Sequence, residues 1–441
     1  MENSKTDNRK LIIRLFALLI PIGLLIGCQN NDDDISSDDS DVIITYDYTL
    51  VASGQTSIYD ADGAELYNLS EGDAFFGQDG NYLKGATMSY IDNSDGTTSD
   101  LNTGLMWQTI PLPEKMTYDE AIEYCENIEL AGYDDWRAPN LKELFSISDF
   151  GKGWPYLDTT YFKLASGIVD KSEQFWSSNR YVGTTVEGQD NAAFGVNHVT
   201  GHIKAYAAGS EMEGGEGGMP PSGGGPQGIG TTPTDSTGAG TPPPGGEGSI
   251  GDGTMSGPLA KYIRAVRGDE YGTNDYVDNG DGTITDKSTG LMWTQDDSGE
   301  GMIWEDALFY AENSIFAGYD DWRLPNVKEH QAIVDYGYSP TATAPDKVGP
   351  AIDPIFNCTQ IISEAGYDDY PYYWTSTSAN FSKGQLYYYA WYISLGRAVN
   401  DQGEDFHGAG AVRFDTKDID GPAGEDAERY YNYVRLVRNA E

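Results

Sequence analysis

The sequence predicts an α+β chain made of two tandem copies of one domain, each with two helices and several short antiparallel strands. Three observations predict it. First, the heptapeptide AGYDDWR occurs at residues 131–137 and again at 317–323, an offset of 186. The same offset maps Tyr90-Ile91-Asp92-Asn93 onto Tyr276-Val277-Asp278-Asn279, and Thr103-Gly104-Leu105-Met106-Trp107 onto Thr289-Gly290-Leu291-Met292-Trp293. Second, each copy mixes short strand-like runs between Gly, Asn and Asp turns with segments of helical period. Third, both copies close alike, Tyr262-Ile263-Arg264-Ala265-Val266-Arg267 matching Tyr433-Val434-Arg435-Leu436-Val437-Arg438. A period this long means tandem domains, since solenoid units run about 20–50 residues.

The N-terminus reads as a targeting segment. Lys5, Arg9, Lys10 and Arg14 make a basic start, and residues 11–26 are otherwise apolar. That run is shorter than the roughly 20 residues a helix needs to cross a bilayer. It ends in Leu25-Ile26-Gly27-Cys28, which resembles a bacterial lipoprotein signal, with Cys28 the acylated new N-terminus. Residues 1–28 are therefore expected to be removed up to the lipidated Cys28, and residues 29–41 to be an acidic tether too polar to fold. The address expected is the bacterial cell envelope, at the outer membrane or cell surface, held through the lipid anchor.

Residues 42–89 form a lead-in rich in Tyr, Gly and Asp, with strands expected at 42–46 and 48–52. The first copy spans 90–267 and the second 275–441, joined by a short linker at 268–274. Residues 209–257 are Gly/Pro/Ser/Thr-rich and lie before the closing strand of the first copy, so they read as a disordered loop inserted within it. In each copy a turn-rich hairpin leads into a Gly-Leu-Met-Trp strand. A helix follows, with Thr117 and Glu120 as a capping box in the first copy. Gly132 and Gly318 are expected to stop these helices. Trp136 and Trp322 lie just beyond, and Asn140 and Asn326 cap a second helix, with Glu143 and Glu329 three residues on. Strands follow around Trp176 and Trp374.

The chain carries 70 acidic and 27 basic residues, a net charge of −43, so nucleic acid and other polyanions are repelled. Apart from Cys28, the cysteines are Cys125 and Cys358, at non-equivalent positions of the two copies. An oxidising exterior allows a bridge between them, but sequence gives no distance.

The run GLMW, a helix, AGYxDWRxPNxKE and the closing YxRxVR strand resembles the Lcl C-terminal domain family, named after a collagen-like bacterial surface adhesin. The resemblance covers about residues 90–267 and 276–438. Ser53-Gly54-Gln55-Thr56 and Phe76-Gly77-Gln78-Asp79 also resemble the lead-in of many such proteins. It implies a C-type-lectin-like fold, two helices on small twisted antiparallel sheets, with kinship to formylglycine-generating-enzyme-like domains. That enzyme family uses a reactive cysteine pair late in the domain, which this chain lacks, so its oxidase activity is not carried over. Family members often have Cys where Ala265 and Leu436 stand, which implies that Cys125 has lost a disulfide partner.

Several residues stand out as candidates. Asp278, Asp281 and Asp286 crowd a Gly-rich turn as calcium loops do, making calcium the candidate ion, although the spacing is not that of an EF-hand and a tight hairpin built by Asp and Gly is the preferred reading. Asp134-Asp135 and Asp320-Asp321 are expected to ligate calcium or to pair with Arg137 and Arg323. Those arginines can equally pair with Glu143 and Glu329. Trp136, Arg137, Glu143, Trp322, Arg323 and Glu329 are therefore expected to be structural. His407, Arg413 and Asp415 flank a Gly-rich loop found in the second copy alone, and are candidates for binding an anionic or hydroxylated ligand or for acid–base work. His198 and His202 are four apart, without a helix signal to make them a metal pair. Strand alternation sends half of the aromatics at 370–374 and 387–392 to the core, and most of them are expected to be core with a few exposed.

Together these point to a surface lipoprotein that binds a glycan or protein, with no catalytic residue assigned. The rivals are an enzyme or enzyme accessory on the formylglycine-type scaffold, which needs a pocket gathering His407, Arg413 and Asp415, and a structural envelope component, which needs a large exposed apolar patch.

Overall fold

The computed structural model describes residues 46–209, 259–424 and 429–440. The leader with Cys28, the acidic stretch after it, the strand expected from residue 42 and the Gly/Pro-rich stretch from residue 210 lie outside the described residues.

The lead-in contains a small hairpin, β1 (Ile58–Tyr59) with β2 (Glu65–Leu66), and one helical turn, α1 (Asp79–Tyr82). Residues 48–52 are not a regular strand. Their backbone makes a single parallel bridge, Val51 to Ala86. The first copy runs β3 (Tyr90–Asp92), β4 (Thr97–Asp100), β5 (Met106–Gln108), α2 (Tyr118–Asn127), α3 (Leu141–Ser146), β6 (Gln174–Arg180), β7 (Ala192–Asn197), β8 (Ile203–Ala207) and β9 (Val266–Arg267). The second runs β10 (Tyr276–Asp278), β11 (Thr283–Asp286), β12 (Leu291–Thr294), α4 (Trp304–Glu312), α5 (Val327–Ala332), the short pair β13 (Ile361–Ile362) and β14 (Asp368–Asp369), then β15 (Tyr372–Ala379), β16 (Tyr389–Ser394), β17 (Val412–Thr416) and β18 (Val437–Asn439).

Each copy builds one four-stranded antiparallel sheet, β3-β4-β5-β9 and β10-β11-β12-β18. The closing strand supplies the last rung in both: Trp107 faces Val266, and Trp293 faces Val437. The copies then share their other sheet. It has six strands in the order β15-β16-β17-β8-β7-β6, three from each copy. The equivalent strands β8 and β17 meet antiparallel at Ile203 and Val412, the relation a local two-fold axis produces. The two domains are thus halves of one compact unit. The largest core cluster mixes them, with Phe150 against Trp391 and Phe194 against Tyr336.

This explains why the aromatic run is mostly core, with Tyr370, Tyr387 and Tyr388 only partly covered. Tyr372, Tyr373, Trp374, Tyr389, Trp391 and Tyr392 are all buried. Both faces of the shared sheet are covered, so strand alternation sends both sets of side chains inward.

Local chemistry sets the helices. Thr117 with Glu120, Asn140 with Glu143, and Asn326 with Glu329 each form a capping box. Gly132 and Gly318 do not stop the first helices, which end at Asn127 and Glu312. They belong instead to two-residue hairpins closed by Leu130 with Tyr133 and Phe316 with Tyr319. Both central residues have positive φ, +55° and +81° at Ala131-Gly132 and +53° and +85° at Ala317-Gly318, as a type I′ turn requires.

Candidate functional site

The repeated motif residues build a frame first. Arg137 makes a two-pronged bond to the buried Glu143 (2.7 and 2.6 Å), and Arg323 does the same to Glu329 (2.6 and 2.5 Å). Both glutamates also accept the N–H of the capping asparagine, so one carboxylate ties the strand before the helix to the helix start. Trp136 and Trp322 are buried and donate their indole N–H to Leu130 O and Phe316 O. The closing motif has two arginines with separate tasks. Arg264 and Arg435, wholly buried, each donate to three backbone carbonyls, at Gln108, Thr109 and Lys163 and at Thr294, Gln295 and Asn357. Arg267 and Arg438 pair with Asp135 and Asp321. The second acid of each Asp-Asp-Trp-Arg run, Asp135 and Asp321, therefore bonds to the closing strand, and not to Arg137 or Arg323.

This frame aims one lysine from each copy across the seam. Lys142, on α3, donates to Gly272 O (3.0 Å) and Asn274 Oδ1 (2.7 Å). Burial pulls its ammonium down to about 8, opposed by Asp286 and Asp335 of the second copy. Lys328, the equivalent residue on α5, donates to Ser146 O (2.7 Å). Burial pulls it down to about 7, opposed by Asp149 and Asp100 of the first copy and Asp79 of the lead-in. The arrangement is reciprocal, each lysine facing the other copy's acids. Sequence reading missed it, although the signal was present: the 186 offset also maps Asp100 onto Asp286 and Asp149-Phe150-Gly151 onto Asp335-Tyr336-Gly337.

Two clefts open around this seam, one of them lined by Lys142. The first, about 540 Å³, is lined by Lys142, Arg180, Asn274, Tyr276 and Asp335 among others. The second, about 450 Å³, is lined by the lead-in at Ser53, Gln55 and Asp79, and by Tyr90, Asp149 and Asp158 of the first copy. Tyr90 and Asp149 are the counterparts of Tyr276 and Asp335. The lead-in reaches the second copy here. Gln55 exchanges two hydrogen bonds with the backbone of Ser378 (2.9 and 2.7 Å), and Asp79 accepts from Thr377 (2.8 Å) and from Ser53. Burial pushes the Asp79 carboxyl up to about 7, against the lowering bonds from Ser53 and Thr377. The lead-in also lies close on the first copy, where a Cβ on Gly151 would lie 2.0 Å from Gly54 O.

The expected ligand loop lies elsewhere. His407, Arg413 and Asp415 are buried at 3, 7 and 2 % exposure, and none of them lines either cleft. Arg413 and Asp415 sit in the middle of β17, where Arg413 donates to His202 Nδ1 (3.0 Å) and Asp415 accepts the Arg429 backbone N–H (3.2 Å). His407 holds the seam through its backbone, accepting from Ala205 N–H (2.7 Å). Strand β17 became central because the first copy pairs with its free edge, so the loop residues are packed between copies.

The candidate calcium carboxylates are bonded to nearby backbone and hydroxyl groups. Asp278 accepts from Gly280 N–H, and Asp281 from the N–H and hydroxyl of Thr283. Asp286 is wholly buried and accepts from Asn274, Asp275, Ser288 and Thr289. These carboxylates serve the turn, and no group of three His, Cys, Asp or Glu among the described residues is placed to hold a metal ion. Cys125 and Cys358 are free thiols, Cys125 on the buried face of α2 and Cys358 against Arg435. His198 packs on Phe175 while His202 meets Arg413, so they are not a pair. No described helix is long and apolar enough to cross a membrane.

The model of the Lcl C-terminal domain matches residues 96–213 and 282–438, more than half of the chain and once per copy. The chain belongs to the Lcl C-terminal domain family. In its second Lcl C-terminal domain the match runs through to β18. In the first it stops at residue 213, while β9 takes the place of β18 beside β5. No curated protein and no solved structure matches the chain.

Proposed function

We propose that this chain is a cell-envelope lipoprotein, anchored through Cys28 at the outer membrane or cell surface, whose folded unit is a binding and adhesion module for a glycan or protein. Each copy is read as a C-type-lectin-like domain. The observation that carries the reading is the pair of clefts lined by equivalent residues, Tyr276 and Asp335 in one and Tyr90 and Asp149 in the other. They are of ligand size, and polar and tyrosine side chains line both. Recognition by mixed polar and aromatic walls suits hydroxylated or peptide ligands. The net charge of −43 argues against nucleic acid and against sulfated polyanions. The enzyme reading has lost its support, because the three groups it relied on are packed inside the sheet.

Two experiments test the proposal. Acyl-chain labelling in a bacterial host should mark the wild-type chain and not Cys28→Ala; equal labelling of both would remove the anchor. The full chain should then be passed over glycan and surface-protein arrays. Retention on a defined class supports the binding role, and a silent array across both classes overturns it.

A further inference from the structure

The seam at Lys142 brings a lysine, an asparagine and an aspartate into line. Lys142 Nζ lies 2.7 Å from Asn274 Oδ1, and Asn274 Nδ2 in turn lies 2.8 Å from Oδ2 of the wholly buried Asp286. The lysine bonds two neutral oxygens, Asn274 Oδ1 and Gly272 O, and makes no ion pair among the described residues. Burial draws its ammonium down to about 8, against the opposing pull of Asp286 and Asp335, so part of it is free amine near neutral pH. A desolvated lysine amine is a nucleophile. The amide carbon of Asn274 is one bond from the oxygen that this amine already touches.

Both groups are held in place. Asn140 Nδ2 donates to Tyr271 O (2.9 Å) and the Tyr271 N–H donates to Glu143 (3.1 Å), which fixes the segment before Asn274 on the start of α3. Gly272, at φ +97°, lies on the lysine stem, where a Cβ would come within 2.8 Å of Lys142 Cδ. Asn274 Nδ2 also donates to Tyr48 Oη (3.3 Å), whose ring packs on Tyr271 at 4.7 Å. Groups fixed in this way react as if at high local concentration. The other seam supplies a built-in control. Lys328 and Asp100 stand there for Lys142 and Asp286, but Met88 stands for Asn274, so no amide is present.

We propose that Lys142 and Asn274 join in an intramolecular amide crosslink, with Asp286 carrying the proton. The amine lone pair bonds to Asn274 Cγ as the carbonyl electrons move onto Oδ1. One Nζ proton passes through Asp286 Oδ2 to Nδ2. The carbonyl re-forms, the Cγ–Nδ2 bond breaks and ammonia leaves. Nζ keeps one hydrogen as a secondary amide, Asp286 ends as it began, and nothing is oxidised or reduced. The first cleft, lined by both Lys142 and Asn274, gives the ammonia an exit. The bond ties α3 of the first copy to the entry of the second across 132 positions, and a covalent closure of that length restricts the unfolded chain. It would hold whatever the clefts bind.

The test is a peptide map of the purified full chain, denatured, digested with trypsin and read by mass spectrometry. The wild type should yield a branched peptide joining Lys142 to Asn274, uncut at Lys142 and lighter by one ammonia than a hydrogen-bonded pair of the same two segments. No branch should appear at Lys328. Lys142→Arg and Asn274→Met should each lose the branch completely. Asp286→Asn should lower its yield at least about tenfold, as expected when a proton carrier is removed, while circular dichroism stays native. Folded wild-type chain that gives linear peptides alone overturns the crosslink, and that result decides whether or not Asp286→Asn folds. A branch that survives Asn274→Met overturns the assignment of its partner. Full yield in folded Asp286→Asn overturns the role given to Asp286.

Discussion

Lys142 and Lys328 occupy the same place in the same motif, and their surroundings show how the two copies have parted. Around Lys142, Asn274 bridges the ammonium to Asp286, and Asp286 takes further bonds from Asp275, Ser288 and Thr289. Around Lys328 the bridging position holds Met88, and the neighbouring Tyr90 hydroxyl is unpartnered. What the two copies share is the frame: the capping box, the Arg–Glu fork, the buried carbonyl-binding arginine. What differs is the polar lining that the frame presents. A duplicated domain can thus keep one seam as a closed polar network and leave the other with a buried hydroxyl unanswered.

The comparison can be broken most severely at the Arg–Glu forks. The Arg323 side chain is 4 % exposed and that of Arg137 33 %. Arg323→Ala should cost about 3–5 kcal/mol in denaturant unfolding, because it leaves Glu329 charged and buried. Arg137→Ala should cost visibly less, since the Arg137 side chain is itself at the surface and its removal opens Glu143 to water. Equal losses would mean that exposure does not separate the copies.

A smaller effect should follow from copying one seam onto the other. Asn274→Met removes the bridge between Lys142 and Asp286, and should destabilise by about 1–3 kcal/mol through unsatisfied buried groups. A neutral outcome would show that the bridge is not what distinguishes the seams.

The acid limb of the stability profile gives a finer test. The Asp79 carboxyl is raised from 3.8 to about 7 by burial, so the folded state holds its proton more tightly than the unfolded one. Its contribution is complete below the unfolded value and is lost as pH rises towards about 7. Asp79→Asn should flatten that decline. An unchanged slope would place the titration elsewhere.

The smallest effect expected is that of calcium. With Asp278, Asp281 and Asp286 bonded to their own turn, millimolar calcium and EDTA should give the same unfolding temperature. A rise of several degrees with calcium would restore an ion site.

The legible part of this fold was the part with a local cause. Capping boxes lie within four residues, and the Thr117, Asn140 and Asn326 starts could be read from type and spacing alone. The Arg–Glu forks span six residues, and were readable as one of two alternatives. The clefts were not legible, because their walls are assembled over hundreds of residues. Gln55 meets Ser378 at a separation of 323 positions, and no period or motif predicts such a contact. The ligand loop was misplaced for a related reason. His407, Arg413 and Asp415 look like surface chemistry in a lone domain, and become interior once β17 acquires β8 as a neighbour.

That shared sheet also bears on how the chain is made. As the protein leaves the ribosome, or emerges across a membrane, the first copy is complete long before residue 412. Until then β8 has an unpaired edge, and Gln55 and Asp79 wait for partners not yet synthesised. An open strand edge is a template for any matching strand, including β17 of another molecule. Folding of this chain is therefore a race between its own second half and a neighbour's, and crowding at the site of synthesis would shift the product from monomer towards strand-exchanged dimer.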